Sequence, residues 1–236
     1  MNSQHKLIVA LDFSDLDQAE KIVKQLSDSV KTFKVGKELF TSAGPRAVEM
    51  IHSYRCRVFL DLKFHDIPNT VGAACEAATK MGVFMLNVHA AGGKNMMIGA
   101  VQAIHKVAIE KKITAPKVLG VTVLTSLTDQ DLKDIGVSRK VPSQVKNLAS
   151  LAKECGLDGV VASGQEIEFI RSAVGKDFLV VTPGVRPVWA AQGDQKRIVT
   201  PRQAVDLGAD YIVVGRPITQ QSEPRQAVDK ILKEIE

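Results

Sequence analysis

The chain has 236 residues, enough for one large domain or two small ones, and its 45% hydrophobic and 24% charged residues are ordinary for a globular protein. Its 31 Lys and Arg residues exceed its 26 Asp and Glu residues, and the net charge of +5 fits an anionic ligand or a basic surface. Aromatic residues make up only 5% and no basic arm is present, so we expect no nucleic-acid partner.

The cysteines, Cys56, Cys75 and Cys155, are three in number and include no close pair. This pattern predicts reduced thiols and argues against a disulfide framework or a zinc site. The polar segment 1–6 does not resemble a signal peptide, and no apolar stretch is long enough to span a membrane. We therefore expect a cytoplasmic protein that has no membrane partner.

Short runs rich in β-branched and apolar residues alternate with helical patterns along the whole chain. Residues 8–11 and 211–214 are apolar on both faces, which is typical of strands in a buried parallel sheet. Helix starts are indicated at Pro68, at the pair Thr200-Pro201 and at Glu223-Pro224. Eight strands are predicted, at 7–13, 32–36, 58–64, 84–90, 117–125, 159–163, 179–185 and 211–215.

The regular alternation predicts one α/β domain that spans residues 1–236. No linker, low-complexity tract or change of composition divides the chain. Eight strand–helix units in this length favour a closed (β/α)8 TIM barrel. The competing fold is an open doubly wound sheet, but residues 11–15 after the first strand contain no glycine for its phosphate-binding fingerprint.

Polar residues collect at the ends of the predicted strands, where (β/α) barrels carry their chemistry. Most of them could equally be helix caps or turn residues. Lys34, Asp61 and Lys63 are different, because they are charges within otherwise apolar strands and an unpaired buried charge is costly. The strand-end residues are Asp12, Lys34, Asp61, Lys63, Asn87, His89, Thr125, Ser126, Ser163, Arg186 and Arg216.

The segment 61–66 predicts a cluster of alternating charges. The two-residue period of a strand places Asp61 and Lys63 on one face, toward the barrel interior, and Asp66 follows the strand end. Lys34 can join from the neighbouring strand. Two cations and two anions arranged alternately would stabilise one another's charged forms.

Two other interpretations of this cluster stay open on spacing alone. It could be a buried salt-bridge network that only stabilises the barrel. It could also be a divalent-metal site made of Asp61, Asp66, His65 and His89. The ammonium of Lys63 weakens the metal interpretation, because it competes with a metal ion for the carboxylates.

The end of the eighth predicted strand has the features of a phosphate site. Gly215 permits close approach of a ligand to the backbone, and Arg216 offers a bidentate, charge-assisted contact. The preceding segment 186–200 is long and polar, and its centre 193–197 reads as a mobile lid over an anion.

These residues resemble the orotidine 5′-monophosphate decarboxylase family. The hallmark of this family is its active-site segment. Residues 61–70, DLKFHDIPNT, match that segment, and no residue of them is identified as differing from the family pattern. The match extends from about residue 7 to residue 218. Further similar segments are ALD at 10–12, FKVG at 33–36, NVHA at 87–90, LTS at 124–126, TPGVR at 182–186, GDQ at 193–195 and VGRP at 214–217.

The resemblance implies decarboxylation of orotidine 5′-monophosphate to uridine 5′-monophosphate, the last step of de novo pyrimidine synthesis, with no cofactor and no metal. Lys63 would stabilise the carbanion and donate the proton, and Asp61 would lie near the substrate carboxylate. Lys34 and Asp66 would hold the catalytic network rigid.

The resemblance also implies a homodimer with shared active sites. Asp66, Ile67 and Thr70 would reach the active site of the other subunit. By the same resemblance, Asp12 would bind the ribose hydroxyls, and Ser126 would bind the pyrimidine with Thr125 beside it. The phosphate would be held by Arg186, Gln195, Gly215 and Arg216.

Two rival functions follow from the same fold. Metal-dependent 3-keto-sugar-phosphate decarboxylases have a similar DxKxxD element, but they place an acidic ligand near the position of Lys34, and this difference argues against them. The other rival is a catalytically silent barrel that binds nucleotides. The presence of Lys63 and both carboxylates, Asp61 and Asp66, speaks against a silent protein.

Overall fold

Eight parallel strands close into a barrel in the order β1 to β8, and β8 pairs with β1. The computed structural model describes residues 3–190 and 199–236. The predicted (β/α)8 barrel is confirmed. Its strands are β1 (Leu7–Leu11), β2 (Thr32–Gly36), β3 (Arg57–Phe64), β4 (Met85–His89), β5 (Lys117–Val121), β6 (Gly159–Val161), β7 (Leu179–Thr182) and β8 (Tyr211–Val214).

Helices follow the strands and surround the barrel. Within the described residues, some connections hold two helices, and short 3₁₀ turns occur at Ala90–Gly92 and Gly164–Glu166. The helices are α1 (Ser3–Lys6), α2 (Leu16–Leu26), α3 (Lys37–Ala43), α4 (Arg46–Ser53), α5 (Pro68–Lys80), α6 (Lys94–Lys111), α7 (Asp129–Asp134), α8 (Val141–Glu154), α9 (Ile167–Val174), α10 (Pro201–Asp206), α11 (Arg216–Thr219) and α12 (Pro224–Glu234).

The helix starts that the sequence indicates are confirmed. Pro68 and Pro224 are the first residues of α5 and α12. Thr200 caps α10, because its side chain accepts the Gln203 N–H and the Gln203 side chain accepts the Thr200 N–H in return. These caps fix where the chain leaves the barrel and turns back along its outside.

Several predicted strands are longer than the observed ones. β1 ends at Leu11 instead of residue 13, and β5 ends at Val121 instead of residue 125. The apolar pattern continues beyond β5 and β7 because Val123 and Val185 are buried, although their backbones have left the sheet. The buried apolar pattern therefore continues past the last paired residue of these strands. The short segments that follow the paired residues form the C-terminal rim of the barrel.

Most of the barrel interior below its C-terminal rim is filled by apolar side chains, with the polar residues Thr32 and Arg57 at its N-terminal end. Both faces of the strands are apolar because one face lines this interior and the other packs against the helices. At the C-terminal level the interior positions change to charged and amide side chains. The interior apolar residues are Ile8, Ala10, Phe59, Met85, Leu119, Val121, Val161, Val181, Tyr211 and Val213.

The thiols of Cys56, Cys75 and Cys155 are free and buried. Burial raises the pKa of the Cys75 thiol to about 12, so this thiol stays protonated at neutral pH.

Among the helices that the structure describes, none is both long and apolar enough to cross a membrane.

Gly159 at the start of β6 is required by the close approach of β7. A Cβ at this position would lie 2.3 Å from the Leu179 carbonyl oxygen and 2.5 Å from the Leu179 Cβ. We expect Gly159→Ala to destabilise the barrel by about 1–3 kcal/mol, because backbone must move to admit the methyl group. The urea midpoint of unfolding measures this loss.

Gly99→Ala on α6 is the matched control, since its added methyl would meet no atom of the described residues closer than 3.6 Å. Alanine also favours the helix. An equal loss of stability in both variants would contradict the packing argument for Gly159.

Candidate active site

Four charged side chains form a chain of alternating sign at the C-terminal rim of the barrel. Lys34 Nζ lies 3.0 Å from Asp12 Oδ1 and 3.4 Å from Asp61 Oδ2. Lys63 Nζ lies 2.6 Å from Asp61 Oδ1. The sequence predicted alternating charges here, but it assigned the second anion to Asp66, whereas the structure places Asp12 in that position.

Lys34 reaches both carboxylates from the interior face of β2. It is nearly fully buried and pairs in register with Ala10 on β1 and Phe59 on β3. Its ammonium passes directly over Gly36, where a Cβ would lie only 3.0 Å from the Lys34 Nζ. A glycine at 36 therefore keeps open the space in which Lys34 meets its partners.

The end of β3 is irregular where it carries Lys63. Leu60 pairs with Leu86 and Phe64 pairs with Val88, so β3 advances by four residues over a stretch in which β4 advances by two. Two additional residues bulge out of the ladder, and Lys63 adopts the left-handed conformation with φ 54°. For a residue with a side chain this conformation costs about 1–2 kcal/mol.

The predicted convergence of Asp61 and Lys63 is confirmed, because both side chains line the apolar cavity and their charged groups are in contact. The strand that carries them is not the regular strand that the sequence predicted, because the bulge interrupts its alternation between these residues and Phe64.

Asn87 contacts both catalytic candidates, and the sequence reasoning gave it no role. This fully buried residue of β4 donates from Nδ2 to Asp61 Oδ1 at 2.6 Å. Its Oδ1 accepts the backbone N–H of Lys63 at 2.8 Å. The signals in the sequence were the position of Asn87 among the polar residues near the strand ends and its place in the family-like segment NVHA at 87–90.

The charges of the chain hold one another in their ionised forms. Burial alone would raise the pKa of Asp61, but the ammonium groups of Lys34 and Lys63 lower it below its usual range, and the hydrogen bond from Asn87 adds to this effect. Burial alone would lower the pKa of Lys34, but the Asp61 and Asp12 carboxylates raise it above its usual value. Asp61 and Lys34 are therefore both charged at neutral pH.

Asp66, Ile67 and Thr70 point away from this chain of charges. All three are exposed, and Ile67 keeps 67% of its surface accessible. Asp66 Oδ1 accepts the N–H of Ile67 at 2.6 Å, and among the described residues no ion pair joins Asp66 to Lys63. The expectation that Asp66 converges with Asp61 and Lys63 of its own chain is therefore wrong, because the chain turns outward into α5 directly after β3.

The metal-site interpretation finds no support in the geometry. The rings of His65 and His89 lie 5.2 Å apart between centroids, and burial lowers the pKa of His89 to about 4. However, Asp61 is engaged by two ammonium groups and Asp66 faces outward. Residues 3–190 and 199–236 contain no group of three or more His, Cys, Asp or Glu side chains placed to hold a metal ion.

Two connected cavities meet at the chain of charges. A polar cavity of about 200 Å³ is lined by Arg186, Gly215 and Arg216, and a more apolar one of about 160 Å³ lies next to Lys63 and Thr125. The two cavities share Lys34, Asp61, Pro183 and Val213. Together they can hold a ligand that has an anion at one end and a flat, largely apolar ring at the other.

Of the other predicted substrate contacts, Ser126 and Asp12 lie at the edge of the two cavities. Ser126 is exposed and lines a neighbouring cavity of about 270 Å³, which it shares with Thr125. Gln195 lies outside the described residues. Asp12 lies at the mouth of the polar cavity, and 56% of its side chain is exposed.

The chain is similar to known proteins over almost its whole length. The model of the Orotidine 5'-phosphate decarboxylase / HUMPS family matches residues 5–231. A relative from Syntrophomonas wolfei, named orotidine 5'-phosphate decarboxylase, is 51% identical over 100% of both chains. One of the same name from Trichlorobacter lovleyi is 53% identical over 99% of this chain and 96% of the relative.

Solved structures agree with these matches. The orotidine 5'-phosphate decarboxylase of Lactobacillus acidophilus superposes with a TM-score of 0.86 and 38% identity, over 98% of this chain and 99% of that chain. An uncharacterized conserved protein from Geobacillus kaustophilus gives the same TM-score with 37% identity, over 98% of this chain and 100% of that chain. The chain therefore belongs to the orotidine 5'-phosphate decarboxylase / HUMPS family.

Proposed function

We propose that this chain decarboxylates orotidine 5′-monophosphate to uridine 5′-monophosphate, the last step of de novo pyrimidine synthesis, without a cofactor. The observation that carries the proposal is the ion-paired set Lys34, Asp61 and Lys63 at the junction of a polar and an apolar cavity. The full-length relatives that carry the name of this enzyme support the same substrate.

The two cavities suggest how the substrate lies. Its phosphate occupies the polar cavity near Arg186, Gly215 and Arg216. Gln195, which lies outside the described residues, is a further phosphate contact in this proposal. Its pyrimidine ring occupies the apolar cavity, near Thr125 and Ser126. The ribose between them then lies beside Asp12, whose carboxylate can accept hydrogen bonds from the sugar hydroxyls.

The chemistry requires a cation at the ring carbon that loses CO₂. When this carbon–carbon bond breaks, its electron pair stays in an orbital in the plane of the ring, where the π system cannot absorb it. The Lys63 ammonium lies close to this carbon, stabilises the pair by charge and transfers one proton to it. The product is uridine 5′-monophosphate, and the neutral Lys63 amine then takes a proton from water.

Asp61 has two effects on this step. Its carboxylate orients the Lys63 ammonium through a 2.6 Å contact. It also lies near the substrate carboxylate and repels it, and this repulsion is relieved when CO₂ leaves. Because Lys34 and Asn87 hold Asp61 in place, few groups need to reorient during the reaction.

We further propose a homodimer in which the start of α5 completes the active site of the partner subunit. Asp66, Ile67 and Thr70 are exposed and face away from the charges of their own chain. An isoleucine with 67% of its surface accessible, next to an outward carboxylate, fits a role at a subunit contact. We place the enzyme in the cytoplasm, where its free, buried thiols stay reduced.

Activity should survive complete removal of divalent metals, because the Lys63 ammonium occupies the position that a metal would need beside Asp61. The measurement is the loss of orotidylate absorbance by purified protein after chelator treatment and dialysis. Lys63→Ala is the control and should be inactive with or without added metal. Activity that returns only when Mg²⁺ or Zn²⁺ is added would instead indicate a metal-dependent decarboxylase.

Mixing two inactive variants should restore activity if the sites are shared between subunits. A mixed dimer of Lys63→Ala and Asp66→Ala chains has one site in which both residues are intact, so random exchange recovers roughly a quarter of wild-type activity. Mixing wild-type chains with the Lys63→Ala/Asp66→Ala double variant should instead reduce activity, because every mixed dimer then lacks an intact site. If mixed dimers form without recovery in the first experiment, the sites are not shared.

Removing the phosphate contact of Arg216 should lower kcat as well as raise KM, because remote binding energy supports the chemical step. We expect kcat/KM of Arg216→Ala to fall roughly 100-fold or more, since charge-assisted hydrogen bonds are lost. Gln195→Ala removes a neutral contact and should cost less. Added phosphite should accelerate turnover of a truncated substrate that lacks the phosphate.

Arg225→Ala on α12 is the matched control for charge, because Arg225 is exposed and lines a different cavity. Its kinetics should equal those of the wild type. Unchanged kinetics of Arg216→Ala on orotidylate would show that the phosphate binds elsewhere.

A further inference from the structure

Asn87 is buried at the centre of the active site without touching either substrate cavity. Its exposed fraction is 0%, and it is absent from the residues that line the polar and apolar cavities. Its side-chain amide neither gains nor loses a proton near neutral pH, so Asn87 does not act as a general acid or base. Whatever it contributes to the reaction must pass through the residues that it contacts.

The Asn87 amide engages a different group at each end. Its Nδ2 donates to Asp61 Oδ1 at 2.6 Å, the same oxygen that receives the Lys63 ammonium at 2.6 Å. Its Oδ1 accepts the backbone N–H of Lys63 at 2.8 Å. The opposite orientation of the amide would set its N–H group against the Lys63 N–H and its carbonyl against the carboxylate, so chemistry permits only one orientation.

The bulge in β3 explains why a side chain is needed at this point. The ladder between β3 and β4 is interrupted between Leu60 and Phe64, so the Lys63 N–H is not met by a backbone carbonyl of a regular ladder. The Asn87 side chain supplies the acceptor. It thereby supports the left-handed conformation of Lys63, from which the ammonium reaches the Asp61 carboxylate.

We infer that Asn87 is a positioning residue of the decarboxylation, which fixes the Lys63 backbone and the Asp61 carboxylate relative to each other. This inference rests on the proposed function, because it assigns to Lys63 the role of proton donor. Asn87 acts chiefly on the chemical step, since it contacts Lys63 and Asp61 whereas the proposed phosphate and ribose contacts lie on other strands. Its loss should therefore affect kcat much more than substrate binding.

The first test is the kinetics of Asn87→Ala. We expect kcat to fall roughly 10- to 100-fold, which corresponds to the loss of a hydrogen bond to a charged group. KM for orotidylate and the affinity for the product uridylate should change less than about threefold. The matched control is Thr79→Val on α5, which removes another buried hydrogen bond, from Thr79 Oγ1 to the Cys75 carbonyl, far from the site. Thr79→Val should lose stability and keep its kcat.

The second test is the pH profile of Asn87→Asp, a substitution that keeps the shape of the side chain. The introduced carboxylate lies against Asp61, beside the cations Lys63 and Lys34, and two carboxylates in contact share a proton at the lower pH. The protonated form can still donate to Asp61, whereas the ionised form repels it. The ratio of variant to wild-type kcat should therefore rise as the pH is lowered, which a purely structural role would not produce.

The outcomes separate this inference from the proposed function. If the wild type does not decarboxylate orotidylate, the proposed function is wrong. If the wild type is active but Asn87→Ala keeps its kcat, or loses kcat and product affinity to the same degree, Asn87 is not a positioning residue. A flat ratio of Asn87→Asp to wild-type kcat across the pH range would equally overturn the inference.

Discussion

The ionised carboxylate of Asp61 is the constraint on which the rest of the site depends. Its burial opposes ionisation, so it stays charged only because Lys34, Lys63 and Asn87 surround it. These three residues come from β2, the irregular end of β3, and β4, so one carboxylate ties three adjacent strands together at their C-terminal ends. Loss of any one donor leaves a buried charge incompletely compensated, and the groups must therefore act as a set.

Stability alone does not account for such an arrangement. A buried ion pair is often no more stable than apolar residues of the same volume, and the left-handed conformation of Lys63 adds a further cost of about 1–2 kcal/mol. The positions around Ala10 and Phe59, in register with Lys34, carry apolar side chains, so an apolar residue at position 34 would fit its immediate neighbours. The interpretation as a network that only stabilises the barrel is thus weaker than the catalytic one. Fixed charges next to an apolar interior act strongly on a developing negative charge.

Much of this structure was predictable from the sequence, because its main signals are local. The strands appear as apolar runs, and the helix starts at Pro68 and Thr200 follow from local caps. The bulge before Phe64 was not predictable, since no glycine or proline marks it in residues 60–64. For the same reason the spacing of residues 61–66 wrongly placed Asp66 among the charges of its own chain, and Asn87 was given no role. Both depend on how β3 and β4 pair, which is a property of the folded sheet.

The polar cavity and the chain of alternating charges meet at Asp12. Its Oδ1 holds the Lys34 ammonium, while its Oδ2 lies 3.5 Å from the point where a Cβ of residue 215 would stand. In the structure 56% of the Asp12 side chain is exposed, so water weakens its attraction to Lys34. In the proposed binding mode, a nucleotide that fills the polar cavity would exclude this water and lower the local dielectric constant. Substrate binding would then strengthen the ion pair between Asp12 and Lys34, and through Lys34 it would restrain the Asp61 carboxylate, beside which we propose that CO₂ is lost.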